Sequence, residues 1–124
     1  MTNTTDTQEI HKKFRKELSA GTVALVLLSL LAGSDEPMYG YQIGKLVGAG
    51  EDDSVMVKQG AIYPVLRSLE DNGVLSSFRE SSSSGPPRRY YQVTEKGRRV
   101  LKAWEEIWQE TKDFVDSILE GKGS

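Results

Sequence analysis

The sequence has no cysteine, which excludes a disulfide scaffold, a thiolate nucleophile and a cysteine-ligated metal site. Its single histidine, His11, rules out a histidine-rich metal centre. Long apolar runs are also missing. The most continuous, Val23 to Leu31, is far short of the ~20 residues a bilayer-spanning helix needs, so no membrane segment is expected. An excess of positive charge is missing too: the formal net charge is −2, which taken alone argues against a nucleic-acid partner. With 124 residues, 37% of them hydrophobic, the chain can build one domain with a modest core and an appendage.

The distribution of charge says more than its sum. Residues 1–57 carry five basic and eight acidic side chains, and residues 100–124 carry three and six. Residues 58–99 carry eight basic and four acidic. The middle of the chain is therefore a basic island, and it is the local field that steers a polyanion. The stretch "HKKFRKELSAGTVALVLLSLLAGS" imitates a secretory signal, with a basic run, an apolar run and small residues after it. Its basic run starts ten residues in and contains Glu17, and cleavage near Ala32 would discard the best helix former. A buried helix, the central post of a small helical domain, is the better account.

Residues 1–9 are polar and threonine-rich and read as a disordered tail. The first helix is expected from about Ile10 to Ala32, stopped by Gly33 and Ser34, with Asp35-Glu36-Pro37 opening the second. That second helix should hold Tyr39, Ile43, Leu46 and Val47 on one stripe. "GAGEDDS" follows as a loop; its glycines lack the strand context and the third glycine of a dinucleotide fingerprint. In "GAIYPVLRSLEDNGVL" the residues Ile62, Val65, Leu66 and Leu69 form one apolar stripe, and Asn72-Gly73 supplies a stop. Pro64 must then lie near that helix's first turn, since an interior proline costs ~3 kcal/mol. A hairpin is expected from Val74–Ser81 and Arg88–Thr94 around "SSSGPP". The last helix starts at Thr94 and runs to about Leu119, with Gly97 slightly weakening its first turn and residues 120–124 as a flexible tail. Leu101, Trp104, Trp108, Thr111, Val115 and Ile118 are spaced 3, 4, 3, 4, 3, a heptad seam suited to meeting a second copy.

Three helices followed by a hairpin is the order of a winged helix-turn-helix: mainly α with a small β-hairpin, here over residues 10–93, with a C-terminal dimerisation helix over 94–119. In that plan the third helix enters the major groove and the hairpin is a wing. With its apolar stripe inward, the third helix leaves Lys58, Gln59, Tyr63 and Arg67 on or beside the outer face. Gln can pair with adenine, Arg and Lys with guanine, and Tyr63 can reach phosphate through its hydroxyl. Arg88 and Arg89 sit where a wing meets phosphate or the minor groove, although strand alternation lets only one of them face the duplex. Tyr41 can also reach backbone phosphate. For each of these the plain alternative is a solvated or half-buried surface residue, and Arg98 and Arg99 are read as just that.

"MYGYQI", "GAIYPVLRSLEDNGVL" and "GPPRRYYQVTEKGRRVL", in this order, resemble the PadR family of bacterial transcriptional regulators over residues 18–119. The resemblance implies a cytoplasmic homodimeric repressor that binds a pseudo-palindromic operator in double-stranded DNA and needs no cofactor. It also implies that the C-terminal helix is the dimerisation helix, and its shortness matches the short branch of the family. In drug-responsive members an aromatic on this helix lines a cavity at the dimer centre and stacks on a planar effector. Trp108 matches that position better than Trp104, and Trp104 could instead fill the space. Two departures stand out: "VMVKQG" replaces the small polar residue that members often place at the entry to the third helix, and Glu51-Asp52-Asp53 would repel phosphate unless turned away. A winged helix used as a protein-interaction module without DNA binding is the competing class, mildly favoured by the acidic total. An enzyme is not expected: there is no nucleophile–base pair, paired carboxylate, metal cluster or phosphate loop, and "EGKGS" lacks the upstream glycine of a P-loop.

Overall fold

The computed structural model describes residues 4–52 and 54–121. Expectations for residues 1–3, for Asp53 and for residues 122–124 fall outside them. The elements are α1 (Thr4–Ala32), β1 (Met38–Tyr39), α2 (Gly40–Leu46), a 3-10 turn (Gln59–Ala61), α3 (Ile62–Asp71), β2 (Leu75–Glu80), β3 (Arg88–Val93) and α4 (Glu95–Leu119). The first helix thus begins well before the apolar pattern does. Nothing between Thr4 and Ile10 breaks a helix, and Asp6 in the first turn suits the positive end of the helix dipole.

The C-terminal half of α1 is the central post. Val23, Leu27, Leu28 and Leu31 are buried there against Ile43 of α2, Ile62, Leu66 and Leu69 of α3, Leu75 and Tyr91 of the sheet, and Leu101 of α4. Burial of one such aliphatic side chain contributes about 1.5–3 kcal/mol, so this cluster is what fixes the angle of α3. Pro64 is the third residue of α3. At that position its missing N–H costs no intrahelical bond, because the first four are unpaired in any helix.

The end of α3 is a tight stop. Gly73 takes φ +79°, its N–H donates to the Glu70 carbonyl at 2.9 Å, and the Val74 N–H donates to Leu69 at 3.1 Å. This is the left-handed termination for which glycine is suited. Thr94 then closes the wing and opens α4: its hydroxyl donates to the Gly73 carbonyl at 2.7 Å and accepts from the Gly97 N–H at 3.0 Å. Gly97 is not a weak point in the helix, as its position in the sequence suggests. A Cβ there would collide with the Val74 carbonyl oxygen and approach Val93 Cγ2 to 2.8 Å, so glycine is what lets α4 sit down on the hairpin.

The hairpin carries a third, two-residue strand. The sheet order is β1-β3-β2, all antiparallel, with Met38 opposite Tyr91 and Tyr39 opposite Tyr90. Tyr39 therefore lies outside α2, and Leu46, expected on the buried stripe of that helix, is 64% exposed at its end. Three helices, a wing and a long terminal helix make the winged helix-turn-helix plan. Among the described residues no helix is long and apolar enough to cross a membrane.

Candidate nucleic-acid interface

At 3.6 residues per turn, burying Ile62, Leu66 and Leu69 turns Tyr63 and Arg67 outward on one flank of α3. Tyr63 is 50% exposed and Arg67, one turn on, is exposed. Gln59 lies in the 3-10 turn just ahead and is half-buried. Two glycines of α2, one turn apart, set how closely α3 approaches. A Cβ on Gly40 would lie 2.5 Å from the Tyr63 hydroxyl, and one on Gly44 would lie 3.1 Å from Gln59 Oε1. Tyr63 and Gln59 are thus held across the backbone of α2 with their outer edges open. Sequence reasoning missed these glycines; their signal is an i, i+4 pair inside an otherwise apolar helical pattern.

Tyr41, 60% exposed, points away from that contact, and Lys45 Nζ lies 5.5 Å from its ring centroid. Its ring stacks at 6.4 Å on Tyr39, which meets Tyr90 edge-on at 5.4 Å, and Tyr90 stacks on Phe78 at 5.7 Å. An aromatic row therefore runs across the outer face of the sheet from α2 to the wing.

Alternation along β3 separates its two arginines. Arg88 shares the outer face, its guanidinium 4.6 Å over the Tyr39 ring, an attraction that orients the cation without neutralising it. Arg89 shares the inner face with Tyr91. Its Nη1 donates to Ser77 Oγ at 2.9 Å and lies 3.8 Å from Glu70 Oε1, while Ser77 Oγ donates to Glu70 Oε2 at 2.5 Å. Arg89 thereby ties the wing to the end of α3, and its charge is offset by a carboxylate. Tyr91, beside this cluster, has its hydroxyl pKa raised above the ordinary value by burial, with Glu70 adding to the rise and Arg89 and Arg67 opposing it. Near the wing tip a cleft of about 400 Å³ brings Tyr39 and Tyr63 together with Ser82, Pro86, Arg88 and Arg89. This is where α3 and the wing face a common space.

Lys58 is placed differently. Its Nζ donates to the Glu51 carbonyl at 3.0 Å, across a loop closed by Gln59 N–H to Gly50 O at 2.8 Å, and it lines a groove against α1. Lys58 therefore turns from the outer face of α3 toward the first helix. Glu51 and Asp52 are exposed in that loop, and Asp52 accepts the Ser54 N–H at 2.8 Å.

The heptad seam of α4 divides along its length. Leu101, expected on the dimer seam, is instead 8% exposed and packs in the subunit's own core, because the near end of α4 lies on α1 and the hairpin. Trp104 is half-buried at the boundary. Trp108, Thr111, Val115 and Ile118 are exposed, as are Ile107 and Phe114. Between α1 and α4 runs a groove of about 380 Å³ lined by Leu18, Leu25, Trp104, Ile107, Trp108 and Thr111. The first helix adds the exposed apolar residues Ile10, Phe14 and Leu18, again at i, i+4, i+8. No group of three or more His, Cys, Asp or Glu suited to a metal occurs among the described residues.

Residues 27–103 match the transcriptional regulator PadR-like family. The fold is similar to that of a PadR family transcriptional regulator from Eggerthella lenta, with 34% identity, a TM-score of 0.76, and 91% of this chain and 95% of that one covered. It is also similar to a PadR-like transcriptional regulator from Bacillus cereus, with 28% identity, a TM-score of 0.63, and 83% and 96% covered. An uncharacterised protein of Lysinibacillus sphaericus is 28% identical over 107 residues, covering 86% of this chain and 96% of its own length. The matched family and these solved structures are transcriptional regulators, not enzymes.

Proposed function

The chain belongs to the PadR-like family of transcriptional regulators, and we propose that it acts as a homodimeric repressor on a pseudo-palindromic operator in double-stranded DNA. The observation that carries this is the cleft in which the open face of α3, through Tyr63, meets the wing through Arg88. Gln59 and Arg67 extend that face along α3, where edge contacts to adenine and guanine are available to them. Tyr41 with Lys45, and Arg88 held on Tyr39, flank it as phosphate contacts. Arg89 sets the wing against α3 more than it reaches a phosphate, and Lys58 serves the edge of the site.

Dimerisation is supported by the uncovered far half of α4, and by Ile10, Phe14 and Leu18 of α1, which extend the same apolar surface. Leu101 has no part in it. The groove between α1 and α4 suits a planar aromatic effector, with Trp108 as its stacking partner and Trp104 as its floor. Quenching of tryptophan fluorescence by members of a panel of planar aromatic compounds, lost in Trp108→Leu, is the expected result for that effector. The site of action is the cytoplasm, where the promoter is.

The test is a gel shift at low salt with the DNA upstream of the protein's own gene. Retardation that weakens steeply as salt is added is expected, because Lys and Arg displace condensed counterions. No shift of any duplex would favour the protein-interaction module.

A further inference from the structure

From Asp6 to Leu18 every side chain of α1 is exposed, and this projecting half has two distinct sides. At about 100° per residue, Ile10, Phe14 and Leu18 fall on one side, and Lys12, Arg15, Lys16 and Ser19 on roughly the opposite one. Lys13 lies between them, beside Glu17, with Nζ and Oε1 3.9 Å apart. The basic side faces the segment that leads into α3. A groove of about 370 Å³ is lined by Lys12, Arg15, Lys16, Ser19, Val55 and Lys58. Ser19 fixes the geometry, its hydroxyl donating to the Met56 carbonyl. Lys58 keeps its ammonium at the groove edge through its bond to the Glu51 carbonyl. The groove adjoins the proposed DNA surface along the chain, since Lys58 directly precedes Gln59 at the entry to α3.

We propose that the projecting end of α1 is a second backbone clamp: Lys12, Arg15, Lys16 and Lys58 hold the sugar–phosphate chain of the duplex just outside the stretch that α3 enters. The inference rests on the DNA-binding function proposed above and deepens it. Four cations converging on one groove suit a polyanion and carry no base information, so this element adds affinity and length of footprint, not sequence preference. The other polyanion at hand is the α4 helix of a second copy, with Glu105, Glu106, Glu110, Asp113 and Asp116. A partner that covers Ile10, Phe14 and Leu18 sits on the far side of α1 and leaves the basic side turned from it, which favours DNA.

The experiment uses the shortest duplex recovered when fragments of host DNA are selected on the protein, and the same duplex extended by about one helical turn at each end. Wild-type protein is expected to bind the extended duplex roughly tenfold more tightly at low salt, with a salt slope steeper by about two to three. Arg15→Gln with Lys16→Gln should abolish that gain and leave binding of the short duplex within about twofold, at unchanged helicity. An equal gain in the variant, or no gain in wild type, overturns the clamp while the DNA-binding function stands. A gain that persists while the dimer dissociation constant rises assigns these cations to the subunit interface and also overturns it. Failure of wild type to bind any duplex overturns both.

Discussion

The near and far halves of α4 carry the same apolar spacing and meet opposite fates. Leu101 is 8% exposed, packed on the post of α1, whereas Phe114 is 65% and Leu119 79% exposed. Nothing in their spacing distinguishes them. Periodicity tells which side of a helix is apolar; it does not tell what covers that side. The near half is covered by its own chain and holds the wing against the helices. The far half offers a surface of the kind monomeric proteins seldom leave open, and in the proposed dimer a second copy covers it. The wing repeats the contrast on a smaller scale: Arg88 and Arg89 are adjacent and alike, yet one rides on an aromatic ring and the other is tied to Glu70.

The contrast can be broken most forcefully in the far half. Val115→Glu with Ile118→Glu should cost the dimer on the order of 5 kcal/mol, since two charges would have to enter an apolar contact. Sedimentation should then find a monomer whose helicity is retained. In the near half the cost should fall on the fold instead. Leu101→Ala is expected to remove about 2–5 kcal/mol of stability by opening a cavity. Gly97→Ala should remove about 1–3 kcal/mol by overpacking, despite alanine's better helix propensity. Urea unfolding at one fixed protein concentration measures both.

The two arginines give a finer contrast. Arg88→Ala should flatten the salt dependence of DNA binding by about one phosphate's worth, roughly 0.9 in slope. Arg89→Ala should weaken binding with little change in slope, and Glu70→Gln should resemble it, because both act through the angle of the wing. A matching slope change in both arginine variants would show that the Glu70 tie is irrelevant on DNA. The smallest effect concerns Tyr91. Burial favours its neutral phenol in the folded state, so the stability tied to it is complete below the ordinary tyrosine pKa of about 10 and is lost as pH rises through the higher folded value. Tyr91→Phe should make stability less sensitive to pH above about 10, as denaturation at neutral and at strongly alkaline pH would measure.

Much of this was legible in the residues. The stripe Ile62, Leu66 and Leu69, the stop at Gly73 and the two wing strands follow from local spacing and turn chemistry, and the structure has them where the pattern does. What was not legible depends on contacts between distant segments. A two-residue strand such as Met38–Tyr39 has no period of its own and exists only because β3 lies beside it. The early start of α1 left no apolar trace. The close approach of Gly97 to Val74, the seating of Tyr63 on Gly40 and the turning of Lys58 toward α1 are all facts of packing that no window along the chain contains. Of the proposed site, the sequence offers the residue types around α3 and the wing, but not their division of labour.

In the proposed function the open face of α3 and the wing are offered to one duplex twice, by two chains joined along the far half of α4. The most direct measurement is the mass, in solution, of the complex formed with a short duplex selected from host DNA. Two chains per duplex are predicted, with both half-sites protected about one helical turn apart. A single chain bound to that duplex, or a dimer that binds no duplex at low salt, would contradict it.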